Sequence, residues 1–166
     1  MNPKDVAGRE PERTVGNLLR DRSLSLAVAE SCSGGLLAHR ITNIPGSSDY
    51  FDRGVVSYSN RSKRELLGVS ERALAEYGAV SEEVALEMAE GIREKSGADV
   101  GISTTGIAGP GGGTEEKPVG LVYIGLATSE VSLAKRFNFS GDRLENKWDA
   151  ASEGLNILLE SLASGN

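Results

Sequence analysis

The residues able to carry out chemistry fall in a few short stretches. In AVAESCSGGLL (27–37), an apolar run ends in Glu30 and is followed by Ser31, Cys32, Ser33, Gly34 and Gly35. A second serine pair, Ser47-Ser48, stands in GSSDYF, just ahead of Tyr58 and Lys63 in YSNRSK. A serine is a weak nucleophile at neutral pH and needs a base. The single histidine, His39, lies in the middle of a short predicted helix, so a Ser-His-Asp triad is not expected. A lysine can replace histidine when burial or a neighbouring cation lowers its pKa. Lys63 meets the second condition on paper, with Arg61 and Arg64 beside it, and Tyr58 could pass a proton or hold the lysine in place. Ser-Lys-Tyr sets of this kind operate in serine acylases. The plain alternative is that Arg61, Lys63 and Arg64 form a solvated helix face.

Three other segments suit binding. A strand-to-helix turn at Glu30–Gly35 would present backbone N–H groups at a helix start, with glycines allowing a phosphate or carboxylate to approach. Read more plainly, Ser31 caps the helix and Gly34-Gly35 turn the chain. The stretch 106–118 holds five glycines and two prolines in thirteen residues, too many for a simple connector. It follows a predicted strand end, where ligands bind in open α/β sheets. Thr104 and Thr105 offer hydroxyls there, and Gly106 an amide. In SGDR (140–143), Arg143 could clamp an anion in bidentate fashion at the start of the last helix.

The elements that must position these groups follow from periodicity. Helices are predicted over 12–21, 35–41, 60–67, 71–77, from the cap Ser81 to Gly97, and over 142–162. The last carries a buried stripe of Leu144, Trp148, Ala151, Leu155, Leu158 and Leu162. Strands are predicted over 23–29, 54–59, 99–105, 119–128 and 132–139. The order α, β, α, β, α, α, β, β, β, α predicts a single-domain α/β layered fold, a mixed β-sheet flanked by helices. The polar start predicts a flexible N-terminus over 1–12 and a domain over 13–164.

Composition narrows the function. A formal net charge of −6 argues against a general nucleic-acid binder. No apolar run is long enough to span a bilayer, so no membrane association is expected. One cysteine rules out an intrachain disulfide framework and fits a reducing compartment, hence a cytoplasmic protein.

Taken together and in order, AESCSGGLLA, PGSSDYFDRGVVSYSNRSKRELLGV, GAVSEEVALEMAEG, TTGIAGPGGGTEEKPVGLVYIG and FSGDR resemble the CinA family, in particular its stand-alone C-terminal domain type. The resemblance runs from about residue 13 to residue 162. It implies hydrolysis of the carboxamide of nicotinamide mononucleotide to nicotinate mononucleotide and ammonia, without metal or organic cofactor, by a protein that tends to be a homodimer. It implies a catalytic set of Ser48, Tyr58 and Lys63, with Glu30, Ser31, Gly34, Gly35, Thr105, Gly106 and Arg143 binding substrate. On this matching Ser48 is the nucleophile, with Ser31 the other serine in contention. Members often carry threonine where this chain has Ser33. Two rivals stand beside this reading. One uses Cys32 as nucleophile with Glu30 and Lys63. The other is a non-catalytic nucleotide-sensing module linked to competence or DNA damage and acting through a protein partner.

Overall fold

The computed structural model describes residues 10–164. Six helices are described: α1 (Glu10–Asp21), α2 (Leu36–Thr42), α3 (Asn60–Leu67), α4 (Glu71–Tyr77), α5 (Glu82–Ser96) and α6 (Arg143–Ser164). Five strands, β1 (Leu26–Glu30), β2 (Phe51–Val56), β3 (Val100–Gly106), β4 (Leu121–Ala127) and β5 (Ser132–Asn138), form one sheet in the order β2-β1-β3-β4-β5. β2, β1 and β3 run parallel, and β4 and β5 complete the sheet antiparallel. This is the mixed α/β sheet expected from the alternation of elements. Among the described residues no helix is long and apolar enough to cross a membrane.

Strand parity divides the core in two. Leu26 and Val28 of β1, Ile102 of β3 and Ile124 of β4 pack with Val15, Leu19, Leu37, Leu155 and Leu158 of α1, α2 and α6. Ala27 and Ala29 of β1 face the other way, onto Leu67, Ala73, Val84, Met88 and Ile92 of α3, α4 and α5. α5 lies directly on the sheet because Gly101 and Gly125 carry no side chain. A Cβ at either would collide with the carbonyl of Ala89 or Ala85.

Three expectations shift. α1 begins at Glu10, so residues 10–12 are not a flexible tail. The side chain of Glu12 is buried and accepts a hydrogen bond from Arg40 Nε at 2.6 Å. Arg40 also donates to Ser152 Oγ at 2.7 Å, and its guanidinium lies 4.2 Å from the Trp148 ring centroid, tying α1 to α2 and α6. Residues 1–9, the rest of the expected flexible N-terminus, lie outside the described residues. β2 starts at Phe51, three residues early, because it pairs with β1 from Leu26 onward, and it ends where β1 ends. On α6 the buried stripe begins at Asn146 rather than Leu144, which is exposed.

Candidate active site

Since β1, β2 and β3 are parallel, the segments leaving their C-terminal ends converge at one end of the sheet. Ser31 leaves β1 there, Ser57 and Tyr58 leave β2, and the glycine-rich loop leaves β3.

Lys63 arrives on α3, whose start is fixed by a reciprocal cap. Ser59 Oγ accepts from Ser62 N, and Ser62 Oγ accepts from Ser59 N, both at 3.1 Å. Gly68, at φ 72°, ends the helix in the left-handed region. This rotation turns Lys63 inward with Leu67 and leaves its side chain 1% exposed. Nζ donates to the Ser57 carbonyl at 2.8 Å and to Ser31 Oγ at 3.0 Å. Among the described residues no carboxylate lies within ion-pair distance of this amine. Burial pushes its pKa below the ordinary 10.5, and only the Cys32 thiol opposes that. The arginines expected to help do not: Arg61 pairs with Glu65 and Arg64 with Glu71, both on the solvent side.

Ser48 does not join this group, contrary to the expected set of Ser48, Tyr58 and Lys63. It is exposed in the 3-10 turn Ser47–Asp49, before β2, whereas Ser57 and Lys63 follow β2. The six residues of β2 advance about 20 Å between them. The serine beside Lys63 is Ser31. It is buried, and its amide donates to the Thr104 carbonyl at 2.9 Å. Tyr58 stands at the mouth, exposed. Its hydroxyl oxygen accepts from Arg143 Nη2 at 2.9 Å, and Arg143 Nη1 donates to the Gly109 carbonyl at 2.6 Å. Tyr58 therefore contacts Arg143 rather than Lys63 itself.

The turn before α2 differs from a free anion site. Glu30, fully buried, accepts from Ser33 Oγ at 2.5 Å, from Gly35 N and Leu37 N at 3.1 Å, and from Ala38 N at 2.8 Å. The N–H groups at the helix start are thus taken by the protein's own carboxylate, which serves as the cap that Ser31 was expected to provide. Glu30 and Gly35, both expected among the binding residues, belong to this internal cap. Gly34, at φ 63°, is exposed, and the Lys147 ammonium packs over it. Among the described residues, no protein oxygen takes the N–H of Cys32 or Ser33.

Thr105, expected among the binding residues, turns its hydroxyl to another partner. Its hydroxyl donates to the Ala79 carbonyl at 2.7 Å on the α5 face. Thr104 faces the opposite side, with Oγ1 at 2.6 Å from Ser33 Oγ. Gly106 pairs with Val122 of β4, where a Cβ would strike Val122 and the Leu121 carbonyl. Arg143 stands beside Tyr58 and the Gly109 carbonyl.

Two contributors, Ser57 and Asn146, escaped the motif reading, and two residues it named, Ser33 and Thr104, have a supporting place. The Ser57 carbonyl anchors Lys63, and Ser33 and Thr104 brace Glu30. Asn146 is buried, donates to the Ala108 carbonyl at 3.0 Å and accepts from Gly141 N at 3.1 Å, fastening the glycine loop to α6. Its signal was available: 146, 150, 154 and 158 form one buried row, and an asparagine in that row needs partners. A cleft of about 470 Å³ opens beside Arg143, between Ala108, Pro110 and Val119 on the loop and Gly141 and Leu144 on the α6 side.

The rival nucleophile, Cys32, is buried. Burial, then the Glu30 charge, push the Cys32 thiol up to about 12, so the thiolate is scarce near neutrality. His39 lies exposed on α2, its Nε2 3.2 Å from Asn43 Nδ2. The arrangement can therefore deprotonate one hydroxyl, that of Ser31, with one buried amine.

Comparison with known proteins agrees with this architecture. The family model for the CinA C-terminal domain matches residues 9–162. A CinA-like protein of Chloroherpeton thalassium is 58% identical over 155 residues, which is 91% of this chain and 37% of that relative. The chain thus spans little more than a third of that longer relative. Among solved structures, the competence/damage inducible protein from Agrobacterium tumefaciens superposes with a TM-score of 0.91 at 39% identity. It covers 94% of this chain and 95% of that one. The competence damage-inducible protein A from Klebsiella pneumoniae gives a TM-score of 0.91 at 35% identity, over 95% and 98% of the two chains.

Proposed function

The chain belongs to the CinA C-terminal domain family, and from that premise we propose that it is a serine amidohydrolase. Its reaction converts nicotinamide mononucleotide to nicotinate mononucleotide and ammonia, with Ser31 as nucleophile and Lys63 as base. One observation carries this reading: Lys63 Nζ lies 3.0 Å from Ser31 Oγ, buried, with no carboxylate among the described residues paired to it.

A neutral amine has two N–H bonds and one lone pair. The bond to the Ser57 carbonyl uses one N–H and orients the amine, leaving the lone pair for the Ser31 hydroxyl. Lys63 accepts that proton as Ser31 Oγ bonds to the carboxamide carbon. The negative charge that develops on the carboxamide oxygen is met by the N–H groups of Cys32 and Ser33. Such donors are each worth about 3 kcal/mol in the transition state. The C–N bond breaks as the departing nitrogen gains a proton from Tyr58, whose own O–H stays free to donate while Arg143 holds its oxygen. Tyr58 is reprotonated from protonated Lys63 through solvent. Water then attacks the Ser31 ester, Lys63 takes a proton from it, and the carboxylate product leaves as Ser31 regains its hydrogen. The cleft beside Arg143 offers apolar walls to the rest of the substrate.

The test is ammonia release from nicotinamide mononucleotide by the purified protein, with mass spectrometry of a quenched reaction. The expected result is one ammonia per nicotinate mononucleotide formed, and an acyl adduct on the peptide containing Ser31. Binding of the nucleotide without ammonia release would sink this reading in favour of a non-catalytic sensor.

A further inference from the structure

We propose that Lys147 is the anion-holding residue of this site and makes it selective for a phosphorylated amide over its unphosphorylated counterpart. The inference rests on the hydrolase site just described and concerns how the rest of the substrate is held.

Three observations lead to it. The first is that the obvious anion site is occupied. At the start of α2, the amides of Gly35, Leu37 and Ala38 all donate to Glu30. A phosphate there would have to displace a fully buried carboxylate and would meet its negative charge. The second is that Arg143 is partly committed, with one Nη on the Gly109 carbonyl and the other on Tyr58. It shapes the mouth before any ligand arrives.

The third is the position of Lys147. It lies one helical turn after Arg143 on α6, on the same face. Its Nζ comes within 3.4 Å of where a Cβ on Gly34 would stand, three residues from Ser31 in the same turn. The side chain is half-buried. Among the described residues the ammonium makes no hydrogen bond and no ion pair. That holds although Glu145, Asp149 and Glu153 share its helix and the chain carries a formal net charge of −6. A cation held against a glycine, turned from the acids of its own helix, is free to give all three N–H bonds to an incoming anion. A compact ammonium suits a phosphate monoester as a point charge, without the planar match an arginine requires. The bare Gly34 leaves that approach open.

Calorimetric titration gives the test. Nicotinate mononucleotide and nicotinate riboside, which differ by the phosphate and carry no carboxamide to hydrolyse, are titrated into the wild-type protein, Lys147→Gln and Lys147→Arg, and inorganic phosphate is added as competitor. Lys147→Gln is expected to weaken nucleotide binding by about tenfold or more, the scale of a charge-assisted hydrogen bond. Riboside binding should stay within about twofold, and competition by phosphate should be lost. Lys147→Arg should keep most of the preference. If the wild type binds the nucleotide no better than the riboside, the inference is wrong. It is equally wrong if Lys147→Gln weakens both ligands alike. The readout needs no turnover, so the two readings fail separately. A protein that releases no ammonia yet loses nucleotide preference in Lys147→Gln refutes the hydrolase and keeps the anion holder. One that turns over normally with an unchanged preference does the reverse.

Discussion

Replacing Lys63 with methionine removes the amine while keeping an unbranched side chain in the same channel. The structure sets out two consequences. The Ser57 carbonyl loses its donor, at a cost of about 1 kcal/mol. Against this, the cost of keeping an amine out of water disappears, so the variant should remain folded at neutral pH with stability close to that of the wild type. Catalysis should respond far more. A general base contributes about 10²- to 10⁴-fold, or roughly 3–5 kcal/mol of barrier, so kcat should fall by that factor with little change in KM. The pH dependence supplies a second readout. Burial holds the Lys63 pKa below its ordinary 10.5. The wild-type rate should therefore rise along an acid limb as the amine loses its proton, and the variant's residual rate should lack that limb. Stability should move in the same sense. The unfolded chain keeps this lysine protonated up to 10.5, whereas the folded chain releases the proton at lower pH. Between those values the unfolded state binds more protons, so wild-type stability rises with pH relative to the variant. Ammonia-release kinetics and urea unfolding, each measured against pH, give all three quantities. A variant with kcat within a few-fold of wild type, or with the same acid limb, would refute the lysine as base.

Other substitutions separate the remaining candidates. Ser31→Ala should abolish turnover by at least about 10³-fold, while the exposed Ser48→Ala should leave kcat within about twofold; steady-state assays in parallel decide between the two serines. Glu30→Gln replaces an acceptor oxygen with an NH₂ that faces existing donors, so urea unfolding should show a loss of about 1–3 kcal/mol. Cys32→Ala should stay active in the ammonia assay, and the wild-type protein should resist thiol alkylation near neutral pH because its thiolate is scarce.

Element types and order were legible because periodicity and caps are local. Ser81 caps α5 through Val84 N, as its spacing from the apolar face suggests, and Asn60–Leu67 and Glu71–Tyr77 form helices over the expected residues. Lys63 was legible as a base candidate by residue type and its place just past a strand, but the cause of its pKa shift was not. Sequence neighbours suggested arginine repulsion, whereas packing supplies burial. Ser48 was grouped with Lys63 because a motif gives residues in order without saying which end of a strand each occupies. Parallel pairing of β1 and β2 decides that, and it is a long-range property. Thr105 was preferred to Thr104 for a similar reason. Adjacent strand residues point to opposite faces, and which face bears on Ser33 depends on what packs there. Lys147 belongs to no motif and gains meaning only when α6 folds over Gly34.

The parity of β1 has a chemical consequence beyond sorting its core. Glu30 and Ser31 are consecutive, yet the acid turns into the α2 layer and the serine meets the lysine from the α3 layer. The sheet acts as an insulator between a fixed negative charge and an amine that works only when uncharged. A slip of β1 by one residue would exchange them, bringing the carboxylate to Lys63 as a counter-ion that holds its proton in place. The protein would keep every reactive group and lose its base. Strand register is thus the property that keeps the site switched on.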